Sequence, residues 1–278
     1  MSRSHQAGLA LLVGVGFVFA GMAGDAAAAP QTSFTLTDDN SVATFDLASD
    51  AGMSGWTVDG VNHMARQWFW YRAGTTGPES SIDNLALSLS GAVDSNFDGQ
   101  DDVLFARYTG TGFTLEVRLS LDGGASGTRY STVAEQVTIK NNSLTSNLDF
   151  HLFQYTDFNL GNTPNDDGIA IVAILPDTIY QTDPTYDGDT VVVPKANYFD
   201  AGLAATLLAA LNDGATTTLG DTFLAGPGSD VAWALQWDAT IKPNKTYQVV
   251  IGKTITPEPA TVALLTLGGL ALALRRRR

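Results

Sequence analysis

Short apolar and β-branched runs alternate with Gly, Asn, Asp and Ser clusters along most of this chain. The runs are Ser33–Thr37, Val42–Leu47, Met64–Arg72, Leu85–Val93, Val103–Tyr108, Phe113–Leu121, Val133–Lys140, Leu148–Tyr155, Ile169–Leu175, Thr190–Val193, Val231–Trp237 and Tyr247–Ile251. Runs of that length, punctuated by turn formers, predict an all-β chain folded as an antiparallel β-sandwich. Alternation is clearest where Phe113, Leu115, Val117 and Leu119 point one way and Thr114, Glu116 and Arg118 the other, so that strand has one wet face. Helical spacing occurs once in the interior: Leu203, Leu207, Leu208 and Leu211 share one side of a short helix predicted from about Asp200 to Leu211, with Asp200 as N-cap and Gly214 as stop. No fixed-period repeat and no low-complexity linker divides residues 29 to 256, which are expected to form one domain.

The two ends follow a different rule. Arg3 and His5 precede an uncharged stretch from Ala7 to Gly24, then the run Ala26-Ala27-Ala28-Ala29 and Pro30. This is the pattern of a secretory signal peptide over residues 1 to 28, to be cut by signal peptidase after Ala26 to Ala28, where small side chains fit the −3 and −1 positions. At the other end Pro257-Glu258-Pro259 is followed by fifteen uncharged residues, Ala260 to Leu274, and by Arg275, Arg276, Arg277 and Arg278. As a helix the apolar segment 260–274 spans roughly 22 Å, a marginal transmembrane anchor unless the arginines snorkel. An arginine cluster stays cytoplasmic, which places Pro257 and everything before it outside the inner membrane. Two prolines around one Glu favour an extended segment that a processing enzyme can bind as a strand.

The order Pro257-Glu258-Pro259, apolar run, Arg275 to Arg278 resembles the PEP-CTERM sorting signal of Gram-negative bacteria that make extracellular polysaccharide, a tail also labelled after the C-terminus of ice-binding proteins. The resemblance covers about the last two dozen residues. It implies export, transient retention in the inner membrane, processing by an exosortase-type enzyme near Pro257, and a final place at the cell surface or in the extracellular matrix. The phrases QWFWYR, FQYTDF and LQWD resemble stretches of uncharacterised PEP-CTERM proteins, which brings no activity with it.

Charge then narrows the partners. Taking Arg3 and the four terminal arginines from 15 basic residues leaves 10, and taking Asp25 and Glu258 from 29 acidic residues leaves 27, so the domain carries −17. Nucleic acid is an unsuitable partner for such a surface. Cysteine is absent, which removes disulfides, thiolate catalysis and Cys-based zinc sites. Two histidines, His63 and His151, stand in no His-Glu-x-x-His spacing, and no Gly-x-Ser-x-Gly elbow, phosphate loop or dinucleotide fingerprint occurs.

Three features carry candidate chemistry. In Gln67-Trp68-Phe69-Trp70-Tyr71-Arg72 a strand would put Trp68, Trp70 and Arg72 on one face, a candidate glycan platform if exposed and core if covered, the commoner fate of large aromatics. Gln67-Trp68, Gln154-Tyr155 with Asp157, and Gln236-Trp237 with Asp238 repeat a Gln–aromatic pair whose amides can hold a ligand hydroxyl or be satisfied by backbone. Asp94, Asn96, Asp98, Gln100 and Asp102, with Gly99 at the sixth position, offer oxygens in the order of a calcium loop, whose twelfth position is Phe105 instead of Glu; the competing reading is an acidic hairpin turn.

These readings converge on an exported, non-enzymatic structural or glycan-binding protein of the cell surface or matrix, with exopolysaccharide as the candidate partner and Ca²⁺ as the candidate ion. A polysaccharide-active enzyme is the alternative, since two carboxylates brought together by folding leave no spacing to find. Ice binding is a weaker alternative, because Thr216-Thr217-Thr218 is one short run.

Overall fold

A computed structural model describes residues 29–171, 178–223 and 228–258. The strands are β1 (Ser33–Asp38), β2 (Ser41–Asp46), β3 (Gly52–Val58), β4 (Val61–Asn62), β5 (Met64–Ala73), β6 (Ser80–Ser81), β7 (Ala86–Val93), β8 (Val103–Gly110) and β9 (Phe113–Gly123). They continue as β10 (Ser131–Asn141), β11 (Leu148–Phe158), β12 (Gly168–Ile171), β13 (Thr178–Thr182), β14 (Tyr186–Val193), β15 (Tyr198–Leu203), helix α1 (Ala204–Asn212), β16 (Thr222–Phe223), β17 (Val231–Ile241) and β18 (Thr246–Pro257). One sheet runs β1-β2-β3-β5-β11-β17-β15-β16, with β4 on β3 and β6 on β5; the other runs β12-β13-β14-β18-β10-β9-β8-β7. Pairing is antiparallel except for short parallel contacts of β3 with β5 and β15 with β16.

The alternation read in β9 is realised: Phe113, Leu115, Val117 and Leu119 are buried, and Thr114, Glu116 and Arg118 lie on the wetter face. Inward residues of the two sheets interlock in one core. Tyr71 of β5 meets Phe113 of β9 at 5.4 Å between ring centres, Phe113 meets Phe150 of β11 edge-on at 5.2 Å, and the Trp56 indole donates across the gap to the Ser131 hydroxyl at 3.0 Å. Burial of this aromatic and aliphatic surface is the main stabilising term in a chain with no disulfide.

One polar cluster interrupts that core. Glu135 of β10 and Lys253 of β18 are both fully buried and paired at 2.6 Å, with the Gln154 amide of β11 donating to the second Glu135 oxygen at 2.8 Å. Burial pushes the Glu135 carboxyl up and the Lys253 ammonium down, each opposed by the other's charge. Both residues stand in apolar series, Val133-Glu135-Val137-Ile139 and Val249-Ile251-Lys253-Ile255, so the alternation that builds the strands also drives them inward.

The helix prediction needs a shift. Tyr198–Leu203 is strand β15, paired to β17, and the helix starts at Ala204. Asp200 caps nothing: its carboxylate accepts from the amides of Gly220 and Thr222 and from the Thr222 hydroxyl, holding β16 beside β15. Gly214 follows the helix with φ 76°, the left-handed conformation its stop role requires. The signal peptide and the apolar segment 260–274 with Arg275 to Arg278 lie outside the described residues. Among the described residues no helix is long and apolar enough to cross a membrane.

Candidate functional site

Trp68, Trp70 and Arg72 do share one face of β5, as the alternation requires, but that face is covered. Trp68 and Trp70 are fully buried and Arg72 is 4% exposed. The Trp70 indole donates to Asn212 at the end of α1 at 3.0 Å. Arg72 is paired with Glu79, donates to the Thr217 carbonyl at 2.6 Å and lies 5.7 Å over the Phe153 ring. The Glu79 carboxylate in turn accepts from the Thr217 amide. The strand is therefore a foundation for α1 and the segment after it, and no sugar platform. The same contacts consume the threonine run: the Thr217 hydroxyl donates to the Ala210 carbonyl and the Thr216 hydroxyl to the Gly77 carbonyl.

Strands β5, β11 and β17 are neighbours, so the three Gln–aromatic pairs do sit side by side, with Gln67 and Gln154 on one face and Gln236 on the other. Gln154 points inward to Glu135, whereas Gln236 points outward, accepting from the Leu219 amide and donating to Asp238, which also meets His151 at 2.6 Å. They form no common centre.

The loop between β7 and β8 is an acidic turn ordered by its own amides. Asp94 accepts from the N–H groups of Phe97, Asp98 and Gly99, Asp98 from that of Gln100, and Asp102 from the amide and hydroxyl of Ser95. The Asn96 amide reaches across to Asp38 at 2.8 Å. The oxygens read as calcium ligands, those of Asp94, Asn96, Asp98 and Asp102, are thus engaged within the fold, and Gln100 enters through its backbone. Among the described residues no three His, Cys, Asp or Glu side chains gather in a metal-holding group. Asp94→Ala is expected to cost about 1–3 kcal/mol, since charged acceptors of several amides are lost. Thermal unfolding should show that loss equally in EGTA and in millimolar calcium; a loss seen only with calcium would restore the metal site.

The open site lies elsewhere, on the outer face of the second sheet. Register aligns two rows there: Gly91, Phe105, Arg118 and Gln136 across β7 to β10, and beside it Leu89, Arg107, Glu116 and Thr138. The side chains of these rows, with Val93 and Val103, line a groove of about 440 Å³, and Gly91 borders it without lining it. Gly91 makes room for the Phe105 ring, because a Cβ there would stand 2.5 Å from the ring carbon Cζ. Arg107 and Glu116 pair at 2.7 Å, both more than two-fifths exposed, and the buried Nε of Arg118 has no partner. The groove thus combines an apolar ring, two guanidinium groups, a carboxylate, an amide and a hydroxyl. That mixture suits a ligand with both C–H faces and hydroxyl groups. In the sequence only Glu116 and Arg118 stand out, as part of the wet face of Phe113–Leu119; the further signal is the second wet row, Phe105 and Arg107, on the adjoining strand.

Buried titratable groups away from the groove set the pH response. Burial pushes the His63 imidazole down to about 4, with Nδ1 accepting from the Gly161 amide at 3.1 Å. Burial, helped by Asp230, pushes the Asp157 carboxyl up to about 7. Asp167 is also pushed up to about 7 by burial, against bonds from the Gln181 side chain and the Leu160 amide. A depressed imidazole costs stability as pH falls from about 6.5 toward 4, whereas raised carboxyls cost stability above about 7 and release it as pH falls toward 4. Asp187, which burial and the neighbouring Glu258 also push up to about 7, acts in the same direction, so the carboxyls outweigh the imidazole and the domain is expected to gain stability, on the order of a few kcal/mol, between pH 8 and pH 5. Melting temperatures across that range check this: they should rise on acidification, less so in Asp157→Asn, and a steady fall would contradict the balance.

Residues 256–278 match the PEP-CTERM protein-sorting motif. The chain therefore carries the tail of a PEP-CTERM protein, which marks it for export through the membrane to the cell surface and for processing by an exosortase. A comparison with curated proteins found no match. Among solved structures, a bacterial glucoamylase complexed with acarbose is similar at TM-score 0.55 and 11% identity over 90% of this chain and 36% of that one, so the chain spans about a third of that protein's length. The Slr1438 protein from Synechocystis is similar at TM-score 0.50 and 9% identity, over 85% of this chain and 100% of that one. At such identities the likeness is one of fold.

Proposed function

We propose that the exported domain is a non-catalytic glycan-binding protein of the cell surface or extracellular matrix, and that it holds polysaccharide in the groove over β7 to β10. The observation that carries this reading is the pair of aligned rows centred on Phe105 and Arg118, left open on one sheet while α1 and the segment after it cover Trp70 and Arg72 on the other and Trp68 is buried there too. A sugar ring laid on Phe105 would bury its C–H face, and Arg107, Arg118, Gln136 and Thr138 would bond its hydroxyls. The sorting tail agrees with this, since it delivers the domain to a surface where polysaccharide is the abundant polymer. The glucoamylase that shares the fold handles a carbohydrate, acarbose, which supports the ligand class and says nothing of the residues.

The enzymatic alternative rests on Asp157, whose raised carboxyl beside Asp230 has the character of a general acid. Against it, Asp157 is 8% exposed and its carboxylate is bonded to the Tyr155 hydroxyl at 3.2 Å. A glycan array probed with the exported protein, followed by reducing-end assay of every glycan retained, separates the two: retention without new reducing ends supports binding alone, and turnover would establish the enzyme.

A further inference from the structure

The sorting motif begins inside the folded sheet. Its first residue, Thr256, pairs with Asp187 of β14, and Pro257 pairs with Tyr186. The Glu258 amide donates to the Thr185 carbonyl at 2.9 Å. Thr185 is itself fixed by a turn in which the Asp183 carboxylate accepts from its amide and hydroxyl. On the other side β10 stops at Ser131, opposite Ile255, so Thr256 and the residues after it run past β10 and are held by β14 alone. Two of the three residues of Pro257-Glu258-Pro259 thus belong to the last strand, while Pro259 lies outside the described residues.

This geometry bears on where the chain is cut, a question that rests on the sorting function of the tail. A peptidase needs its scissile bond extended and free of other strands, and the backbone of Thr256 to Glu258 is already engaged. The apolar segment opens at Ala260, at most about 7 Å of chain beyond Glu258. An enzyme working at the membrane face therefore meets the sheet end directly, with one free edge of the strand, the one β10 leaves open, available for strand addition. We propose that the sorting enzyme reads Thr256 to Glu258 in place as part of β18 and cuts on the C-terminal side of Glu258, so that Pro257 and Glu258 stay with the domain. In the cut one C–N bond breaks: the carbonyl carbon on the domain side takes the oxygen of water or of an acceptor hydroxyl, and the proton passes to the amine of the departing tail.

The test is mass spectrometry of the C-terminal peptide of the protein recovered from the surface of the native host, with hydrogen exchange on the same material. A chain cut at Glu258 or shortly after it, ahead of the apolar segment that opens at Ala260, with the Glu258 amide protected, is the expected result. A chain ending at Pro257 or earlier, or a Glu258 amide that exchanges at the free rate, would overturn the position of the cut. An intact chain ending at Arg278 would overturn the sorting reading as well, and so is distinguishable from a misplaced cut.

Discussion

Replacing Glu135 by alanine is expected to destabilise the domain by about 3–5 kcal/mol, because it strands the Lys253 ammonium in the core without its partner. The pair is 2.6 Å apart with both side chains fully buried, and Lys253 Nζ lies 5.8 Å from the Trp233 ring centre, an aromatic face that cannot replace a carboxylate. The cost belongs to the orphaned charge and not to the bond. Glu135→Leu combined with Lys253→Met should accordingly recover most of the loss, ending neutral or up to about 4 kcal/mol more stable than the parent. Urea unfolding of the parent, the single variant and the double variant measures this, and a double variant no more stable than the single one would show that the pair holds β10 and β18 together by its own attraction.

Trp70→Ala carries the second large effect, about 3–5 kcal/mol. The indole is fully buried between β5 and α1, packs edge-on to Tyr155 at 6.2 Å and donates to Asn212, so its removal opens a cavity and orphans an acceptor at the helix end. Trp68→Ala is expected to be comparable, since the ring fills the space beside Gly52 where a Cβ would stand 2.2 Å from the indole. Equilibrium unfolding checks both. A Trp70→Ala protein with unchanged stability would mean that this face of β5 is bare in solution, which would return it to the glycan reading.

The strands that were legible are those where apolar and polar positions alternate. β9 and β10 appear with nearly the bounds that Phe113–Leu121 and Val133–Lys140 suggest, because a sheet with one wet face writes its period into the sequence. β3 is not among the runs the pattern picks out, because Gly52 and Gly55 interrupt it, and those glycines stand where the Trp68 ring and the Thr44 hydroxyl leave no room for a Cβ. Asp200 to Leu203 belongs to the predicted helix because Leu203 continues the helical spacing, yet pairing of Tyr198–Leu203 to β17 overrides that local preference. Thr246–Pro257 runs six residues past the predicted Ile251 because Lys253, a charge in an inward position, masked the period.

The site was less legible than the fold for a related reason. Trp68 and Trp70 drew attention as a bulky pair, but which face of a sheet is covered depends on what packs there, and α1 lies more than a hundred residues downstream. Phe105, Arg107, Glu116, Arg118 and Gln136 come from three strands whose register alone brings them into rows. Nothing in the spacing of one strand announces such a row. The PEP motif, by contrast, was readable in full because it is an address written in contiguous residues, although its overlap with β18 became visible only through the pairing to β14.

Affinity electrophoresis of the exported protein in gels cast with the host's own exopolysaccharide tests the central claim most directly, comparing the parent with Phe105→Ala. The account predicts that the parent is retarded and that the variant, keeping the parent's melting temperature within a few degrees, loses about tenfold in affinity, the equivalent of one aromatic stacking contact of about 1.4 kcal/mol. Equal retardation of the two proteins, or no retardation of the parent, would contradict a glycan site in the groove over β7 to β10.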